Sequence, residues 1–142
     1  MSKVYMISIF AENKPGRLER VTKVLSEANI NILAFSITST NGFGIIKFMV
    51  NKWEEAYKLL KEKGFTVSLN EAIGIEMKDQ PGGLHEVVKI LSLKGINIES
   101  ASVYVAETRK KAYLIVEVED TAKAMEMLKG ENLRFLNAED IK

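Results

Sequence analysis

Two loops in the chain place proline and glycine where a small anion could bind. Pro15 and Gly16 come just ahead of apolar residues at helical spacing, and Pro81 and Gly82 recur 66 positions later (81 − 15 = 66). Backbone N–H groups at the start of a helix lack intrahelical partners and lie at the positive end of the helix dipole, so they attract anions. Glycine adds no side chain that would keep a ligand away. The alternative is that Pro-Gly only turns the chain into the helix.

Asn31 and Asn97 are the second pair of candidate binding residues. Each lies between two isoleucines where a strand is predicted to begin, so the sequence predicts an amide close to the apolar layer. An amide donates and accepts hydrogen bonds at once, which suits a ligand with both an ammonium and a carboxylate. The alternative is a turn asparagine that bonds its own backbone or tolerates a left-handed conformation.

These loops and asparagines belong to an internal repeat. Residues 13–32 and 79–98 are identical at ten of twenty positions without a gap. Residues 56–60 match 124–128 at an offset of 68 (124 − 56 = 68), so the second copy has two more residues between its middle strands. A period of this kind indicates duplicated structural units. We therefore predict two domains, residues 1–70 and residues 71–142.

Apolar periodicity predicts the order β-α-β-β-α-β in each copy. Helices are predicted where apolar residues recur at spacings of three and four, and strands where β-branched residues cluster between turn residues. This order is the ferredoxin-like α+β fold, an antiparallel sheet with both helices on one face. The predicted elements are 4–10, 18–28, 32–40, 44–50, 53–63 and 65–69 in the first copy, and 72–77, 84–94, 98–105, 112–118, 121–129 and 133–136 in the second.

Composition narrows the classes of function. The 142 residues are 46% hydrophobic and 27% charged, with a net charge of +1, so no overall field favours a nucleic acid or a membrane surface. The chain has no cysteine, which excludes disulfides and thiolate sites and indicates a reducing compartment. We find no signal peptide or membrane-spanning run and expect a cytoplasmic protein.

Catalytic signatures are missing from the sequence. The single histidine, His85, stands where the first copy has Glu19, so a histidine mechanism is not duplicated. No phosphate-loop, zinc-protease or serine-hydrolase motif is present. We therefore expect no enzyme activity, no metal and no cofactor.

The stretch "NGFGIIKF" at residues 41–48 resembles the RNA-recognition signature, which displays aromatic rings on a sheet of this topology. Asn41 replaces the basic residue and Ile45 replaces a stacking ring, which leaves Phe43 and Tyr5 as possible platforms. The second copy has no Gly-Phe-Gly. We interpret the stretch as a hairpin turn followed by a strand whose Ile46, Phe48 and Val50 face the core.

The repeated "PGxL...INI" pattern in two β-α-β-β-α-β units resembles the ACT domain, a regulatory module that binds amino acids. The resemblance covers essentially the whole chain and implies a pocket where two ACT domains meet, between the glycine loop of one and the strand surface of the other. By resemblance, one pocket would be lined by Asn13, Gly16, Arg17, Leu18 and Asn31, and the second by Asp79, Gly82, Gly83, Leu84 and Asn97.

The resemblance implies an amino-acid sensor with a small-molecule ligand, a homodimer and a regulated enzyme or regulator as possible partner. The alternative is a protein–protein adaptor, or a regulatory subunit of a biosynthetic enzyme, with no ligand of its own. The second strand of each copy, "ILAFSI" and "IESASV", should lie at a sheet edge and be covered by another ACT copy, because bare apolar edges aggregate. The two pockets should differ, since Arg17 suits a carboxylate and Asp79 suits an ammonium.

The near-neutral charge and the incomplete aromatic set predict that the protein does not bind RNA specifically. Filter binding against pooled single-stranded RNA at physiological salt should show no retention, and weak binding at low salt should disappear as salt is raised. Tight binding that is lost in Phe43→Ala would contradict this interpretation.

Overall fold

The computed structural model describes residues 3–105, 111–137 and 141. The chain divides into two compact units, which we call copy one and copy two. Copy one is Tyr5–Asn70 with Ile141, and copy two begins at Glu71 and also includes the first described residues, up to Val4.

Copy one is an antiparallel sheet with two helices. Its strand order is β2-β3-β1-β4, and both β1 and β2 run antiparallel to β3. Only the part of β4 that ends at Asn70 belongs to this copy. The elements are β1 (Val4–Glu12), α1 (Arg17–Glu27), β2 (Ile32–Thr40), β3 (Phe43–Val50), α2 (Trp53–Glu62) and β4 (Thr66–Lys78).

Copy two repeats this arrangement. Its strands β5 and β6 are antiparallel, β6 pairs with the second part of β4, and a short β7 pairs with the other side of β4. The predicted α+β, ferredoxin-like order is therefore confirmed. The elements after β4 are α3 (Gly83–Leu93), β5 (Ser100–Val105), β6 (Lys111–Glu117), α4 (Thr121–Met127) and β7 (Phe135–Leu136).

The boundary between the predicted strands 65–69 and 72–77 is not a turn. Residues 66–78 form one continuous strand, β4. Asn70, which the sequence places between the two predicted strands, accepts a hydrogen bond on its Oδ1 from Ser8 Oγ of β1 at 2.8 Å. Because the amide is engaged across the sheet, it does not bond its own backbone to make a turn.

The same backbone motif ends three of the helices. After α1, Asn29 takes φ 58°, its N–H donates to Ser26 O at 3.0 Å, and Ile30 N–H donates to Leu25 O at 2.9 Å. These two bonds satisfy carbonyls that the helix leaves unpaired. After α2 and α3, Gly64 and Gly95 take the left-handed position with the corresponding bonds. The repeated isoleucine before each asparagine is therefore explained by helix termination.

The two cores use corresponding positions. In each copy two isoleucines of the central strand pack under the apolar stripe of the first helix. Eight buried residues of one core correspond to eight of the other, at a sequence offset of 66 through the first helix and of 68 from the following strand pair onward. The pairs are Ile7 and Ile73, Ile9 and Ile75, Val21 and Val87, Leu25 and Leu91, Ile46 and Leu114, Phe48 and Val116, Ala56 and Ala124, and Leu60 and Leu128.

Both edge strands leave large apolar side chains exposed. Among the described residues β2 pairs only with β3, and β5 pairs only with β6. Phe35 and Ile37 of β2 are 52% and 44% exposed, and Val103 and Val105 of β5 are 47% and 46% exposed. Ile37 lies opposite the buried Ile46, so these side chains lie on the helix side of the sheet, beyond the cover of the helices.

The stretch at residues 41–48 is a hairpin turn and strand, as interpreted. Asn41 and Gly42 take positive φ, and Ile46, Phe48 and Val50 are buried in the core of copy one. Tyr5, one of the two rings left under the RNA-binding alternative, is not available as a stacking platform. The Tyr5 ring packs on Trp53 of α2 with centroids 4.3 Å apart, so it lies on the helix side of the sheet.

Gly83 and Gly82 should respond differently to alanine. A Cβ on Gly83 would lie 1.9 Å from Lys78 O, whereas a Cβ on Gly82 would meet nothing within 4 Å. Gly83→Ala should therefore lower the free energy of unfolding by about 3 kcal/mol or more through overpacking, and Gly82→Ala by about 1–2 kcal/mol through its positive φ alone. Urea denaturation measures both losses in the free energy of unfolding, provided that the m-values of the variants equal that of the unmodified chain. Equal losses would show that the loop shifts to accept the Cβ.

Candidate functional site

The glycine of each Pro-Gly pair has a conformational role. Gly16 has φ 94° and Gly82 has φ 88°, and each is the residue that directly precedes a helix. Residues with a side chain rarely adopt this left-handed backbone conformation. The turn by itself therefore explains why each position is a glycine. Open space surrounds both positions, since an added Cβ would meet no atom within 4 Å. A ligand could therefore approach the backbone at either glycine.

Backbone hydrogen bonds tie the loop of copy one to the β2–β3 turn and to the start of α1. Asn13 N–H donates to Gly42 O of the β2–β3 turn at 2.8 Å, and Arg17 N–H donates to Lys14 O at 3.3 Å. Gly16 and Gly82, the residues that directly precede α1 and α3, have no side chain that could accept a hydrogen bond from a first-turn amide. The amides of the second and third helical residues therefore lack intrahelical acceptors and remain at the positive end of the dipole.

Arg17 is the charged side chain nearest to this loop's helix start. Its residue is partly buried, and its Nε has no hydrogen-bond partner among the described residues although the atom is inaccessible to solvent. A buried guanidinium nitrogen without an acceptor is costly, and a carboxylate would satisfy it. Leu18 beside it packs partly against the core of copy one.

The loop of copy two packs against the start of α3. Gln80 N–H donates to Lys78 O at 3.0 Å, and the absent side chain of Gly83 is what allows Lys78 O to contact the start of α3. Gly83 thus has a packing role that its sequence context did not reveal. Leu84 is 47% exposed, and Asp79 is also exposed.

Asn31 lies at the other end of α1 from Gly16. The eleven residues of Arg17–Glu27 separate the two positions, which corresponds to about 16 Å at 1.5 Å per residue. Asn97 is separated from Gly82 in the same way by α3. Within one copy, the predicted pocket residues therefore fall into two groups that do not meet.

Asn31 and Asn97 are exposed. The prediction that their amides lie close to the apolar layer is therefore wrong. Asn31 N–H donates to Asn51 Oδ1 at 2.9 Å, and Asn51 N–H donates to Asn31 O at 3.2 Å, so the backbone of Asn31 ties β2 to the end of β3. The side-chain amide of Asn31 takes no part in these two bonds. The asparagine side chains are not buried because each residue precedes a strand at the sheet edge, where no other element of its copy covers it.

Each asparagine lines an open groove beside the first helix of its copy. The groove of copy one has a volume of about 500 Å³ and includes Ser26 and Asn31, and that of copy two has about 410 Å³ and includes Ser92 and Asn97. The serines were not predicted as site residues, although both occur in the repeated segment. Asn97 also borders a larger cavity of about 670 Å³ with Glu99, Glu119 and Asp120.

Other classes of site receive no support from the described part of the chain. No group of three or more His, Asp or Glu residues there could hold a metal ion. His85 is exposed in the first turn of α3. Across the described ranges, no helix is long and apolar enough to cross a membrane.

Solved structures resemble the whole chain. A Bacteroides thetaiotaomicron protein is 35% identical over 98% of this chain and 95% of its own, with a TM-score of 0.88. The regulatory subunits of aspartate kinase from Thermus thermophilus and Thermus flavus share the fold at 18% and 15% identity, with TM-scores of 0.60 and 0.56, each over 90% of this chain and 91% of their own. No curated protein matches the chain significantly.

The family profile described as "ACT domain pair" matches residues 2–142. Two ferredoxin-like copies with equivalent cores, each with a Pro-Gly loop and an asparagine at opposite ends of its first helix, agree with that match, and the chain belongs to the family of ACT domain pairs.

Proposed function

We propose that this chain is a non-catalytic regulatory protein that senses a free amino acid where two ACT copies meet. The observation that carries the proposal is the distance between the glycine and the asparagine that both copies share. Gly16 and Asn31 lie about 16 Å apart at the two ends of α1, and copy two repeats this arrangement. A pocket that uses both groups takes its loop from one copy and its asparagine from another. Binding of the ligand then stabilises the contact between the copies.

The two groups suit the two ends of an amino acid. The open backbone at Gly16 and the unpaired Arg17 Nε favour a carboxylate. An exposed amide such as Asn97 can accept from an ammonium and donate to a carboxylate oxygen. On this proposal the ligand contacts are those predicted from the sequence: Asn13, Gly16, Arg17, Leu18 and Asn31 in copy one, and Asp79, Gly82, Gly83, Leu84 and Asn97 in copy two.

A homodimer forms part of the proposal. The free edges of β2 and β5 carry the exposed side chains Phe35, Ile37, Val103 and Val105. An uncovered apolar edge invites pairing with another strand, and a second copy of the chain supplies one. The same pairing brings the groove beside α1 next to another ACT copy. The partner that receives the signal is then a separate enzyme or regulator, an arrangement that the fold shared with aspartate kinase regulatory subunits supports.

A protein–protein adaptor without a ligand is the second candidate, and one observation favours it. On the face of copy one opposite the helices, Phe10 lies directly across from Ile45, and the two are 44% and 37% exposed. Phe43 on the same face is 67% exposed. Copy two has the charged residues Glu76 and Lys111 at the positions of Phe10 and Phe43. Copy one therefore presents a small apolar surface that copy two lacks.

Calorimetric titration against the twenty amino acids separates these two functions. One or a few related amino acids should bind, and Asn31→Ala and Asn97→Ala should each weaken one class of site by about tenfold, because a hydrogen bond to a charged group contributes about 1.5–3 kcal/mol. Asp79→Asn should change only the site that contains the copy-two loop. If no amino acid binds, the adaptor is favoured. Binding that is unchanged in both asparagine variants would assign them to the turns alone.

The dimer should depend on the edge strand. Phe35→Asp with Ile37→Asp places charge on the exposed apolar side chains of β2 and should shift the protein to a monomer in light scattering. Phe10→Asp with Phe43→Asp is the matched control, because it also introduces two aspartates at exposed apolar side chains, and both lie outside β2. A control variant that dissociates equally would place the interface on the helix-free face.

A further inference from the structure

The face of the copy-two sheet opposite α3 and α4 carries a row of aromatic and charged side chains. Successive residues of a strand point to opposite faces of the sheet. Ile75 of β4 and Leu114 of β6 pack in the core under the helices. Their neighbours Glu76 and Tyr113, which lie directly across from each other, therefore face away from the helices. Tyr104 of β5 lies directly across from Tyr113 and extends the row to the edge strand.

The two tyrosines form a stacked pair. The ring centroids of Tyr104 and Tyr113 are 5.9 Å apart, and the rings are inclined by 19° to each other. Both residues are partly exposed. An offset pair of this kind leaves ring surface on which another planar ring can stack.

Two lysines lie beside this row. Lys78 and Lys111 are directly opposite each other on β4 and β6, two residues along β4 from Glu76. Like charges at opposed positions of a sheet repel each other. Lys111 Nζ is 3.5 Å from Glu76 Oε1, so the carboxylate offsets the charge of one lysine. Lys78 forms no ion pair with another residue of the described ranges.

An arginine continues the row on the other side of β4. Glu76 N–H donates to Arg134 O at 2.8 Å, which places Arg134 beside Glu76. The next residue, Phe135, packs against the core, so the side chain of Arg134 points to the helix-free face. Arg134 is exposed. These positions give three cations and one carboxylate, a net charge of +2 (3 − 1 = 2).

The same face of copy one lacks this combination. Tyr113 and Lys111 stand where copy one has Ile45 and Phe43 (113 − 45 = 111 − 43 = 68). Glu12 occupies the position of Lys78 (78 − 12 = 66). The cations and the ring on the central strands therefore belong to copy two alone.

The sequence of β6 explains why this surface was not recognised. Residues 109–116, "RKKAYLIV", have a basic first residue and an aromatic fifth residue, the two features in which residues 41–48 depart from the RNA-recognition signature. Lysines replace its second and third residues, so the Gly-Phe-Gly core of the signature is absent. Residues 109 and 110 lie outside the described ranges, and the site inferred below includes neither.

We propose that this face of copy two binds a free nucleoside monophosphate. The base stacks on the tyrosine pair, and the phosphate accepts hydrogen bonds from Lys78, Lys111 and Arg134. A monophosphate carries a charge of about −1.5 to −2 at neutral pH, which complements the net charge of +2 on this face. The phosphate also offsets the repulsion between the two opposed lysines.

The surface fits one nucleotide and not a strand of nucleic acid. A strand needs cations that follow its backbone over several nucleotides. The cations of this face are confined to copy two, and Glu12 and Phe43 take the lysine positions in copy one. The inference goes beyond the proposed function, because the site uses neither the glycine loops nor the asparagines.

The test titrates AMP, adenosine and inorganic phosphate into the isotope-labelled full chain and follows the backbone amides by nuclear magnetic resonance. AMP should bind more tightly than adenosine or phosphate alone. The amides that shift should be those of β5, β6 and the second part of β4.

Variants separate the ring from the cations. Tyr113→Leu should weaken AMP binding by about fivefold or more through lost stacking and leave phosphate binding unchanged, whereas Tyr113→Phe keeps the ring and should retain AMP binding. Lys78→Gln with Arg134→Gln should weaken AMP binding by about tenfold or more and leave adenosine binding unchanged. Lys58→Gln with Lys89→Gln is the matched control, since it removes two exposed charges from α2 and α3. Circular dichroism checks that all variants keep the fold.

Three results would overturn the inference. The first is the absence of AMP binding, and the second is AMP binding that is no tighter than phosphate binding or is unchanged in Tyr113→Leu. The third is a single-stranded oligoadenylate that binds far more tightly than AMP and loses affinity in Tyr113→Leu, because the ligand would then be a strand. Each result leaves the proposed function intact, since amino-acid binding is measured separately with Asn31→Ala and Asn97→Ala.

Discussion

Burial of the two central-strand isoleucines under the first helix is the interaction on which each copy depends. Ile7 and Ile9 in copy one, and Ile73 and Ile75 in copy two, are at most 1% exposed. Each fully buried side chain of this size contributes about 1.5–3 kcal/mol. The stripe of Val21 and Leu25, or of Val87 and Leu91, fixes the rotation of the helix over the sheet, and both helix ends are thereby positioned.

Left-handed residues then set where the first helix begins and ends. Gly16 starts α1 and Asn29 ends it, and Gly82 and Gly95 do the same for α3. The eleven-residue helix between them separates the loop from the asparagine by about 16 Å. A requirement of backbone geometry thus accounts for much of the repeat, and it also divides the residues that the sequence predicts to bind a ligand into two groups at opposite ends of the first helix.

The copies diverge away from their cores. Arg17 and Gly83, Phe10 and Glu76, and Phe43 and Lys111 are equivalent positions with different chemistry. The eight equivalent core positions are apolar in both copies because the interiors are close-packed and exclude unpaired polar groups, whereas loop and surface positions are free to change. Copy one therefore combines an apolar helix-free surface with an arginine whose Nε is buried, and copy two combines charged residues on that face with a glycine packed on the carbonyl of Lys78.

The sequence alone determined the duplication, the order of elements and the core, because helix and strand periodicities are local and survive in each copy. It predicted β2 with its observed bounds, residues 32–40, and the turn at Gly42. Only the tertiary structure decided that β4 runs unbroken past Asn70, that Tyr5 packs on Trp53, and that Gly83 is required by the carbonyl of Lys78. These depend on contacts between residues distant in sequence or on exact loop geometry. For the same reason the sequence grouped Asn31 with Gly16, while the length of a folded helix separates them.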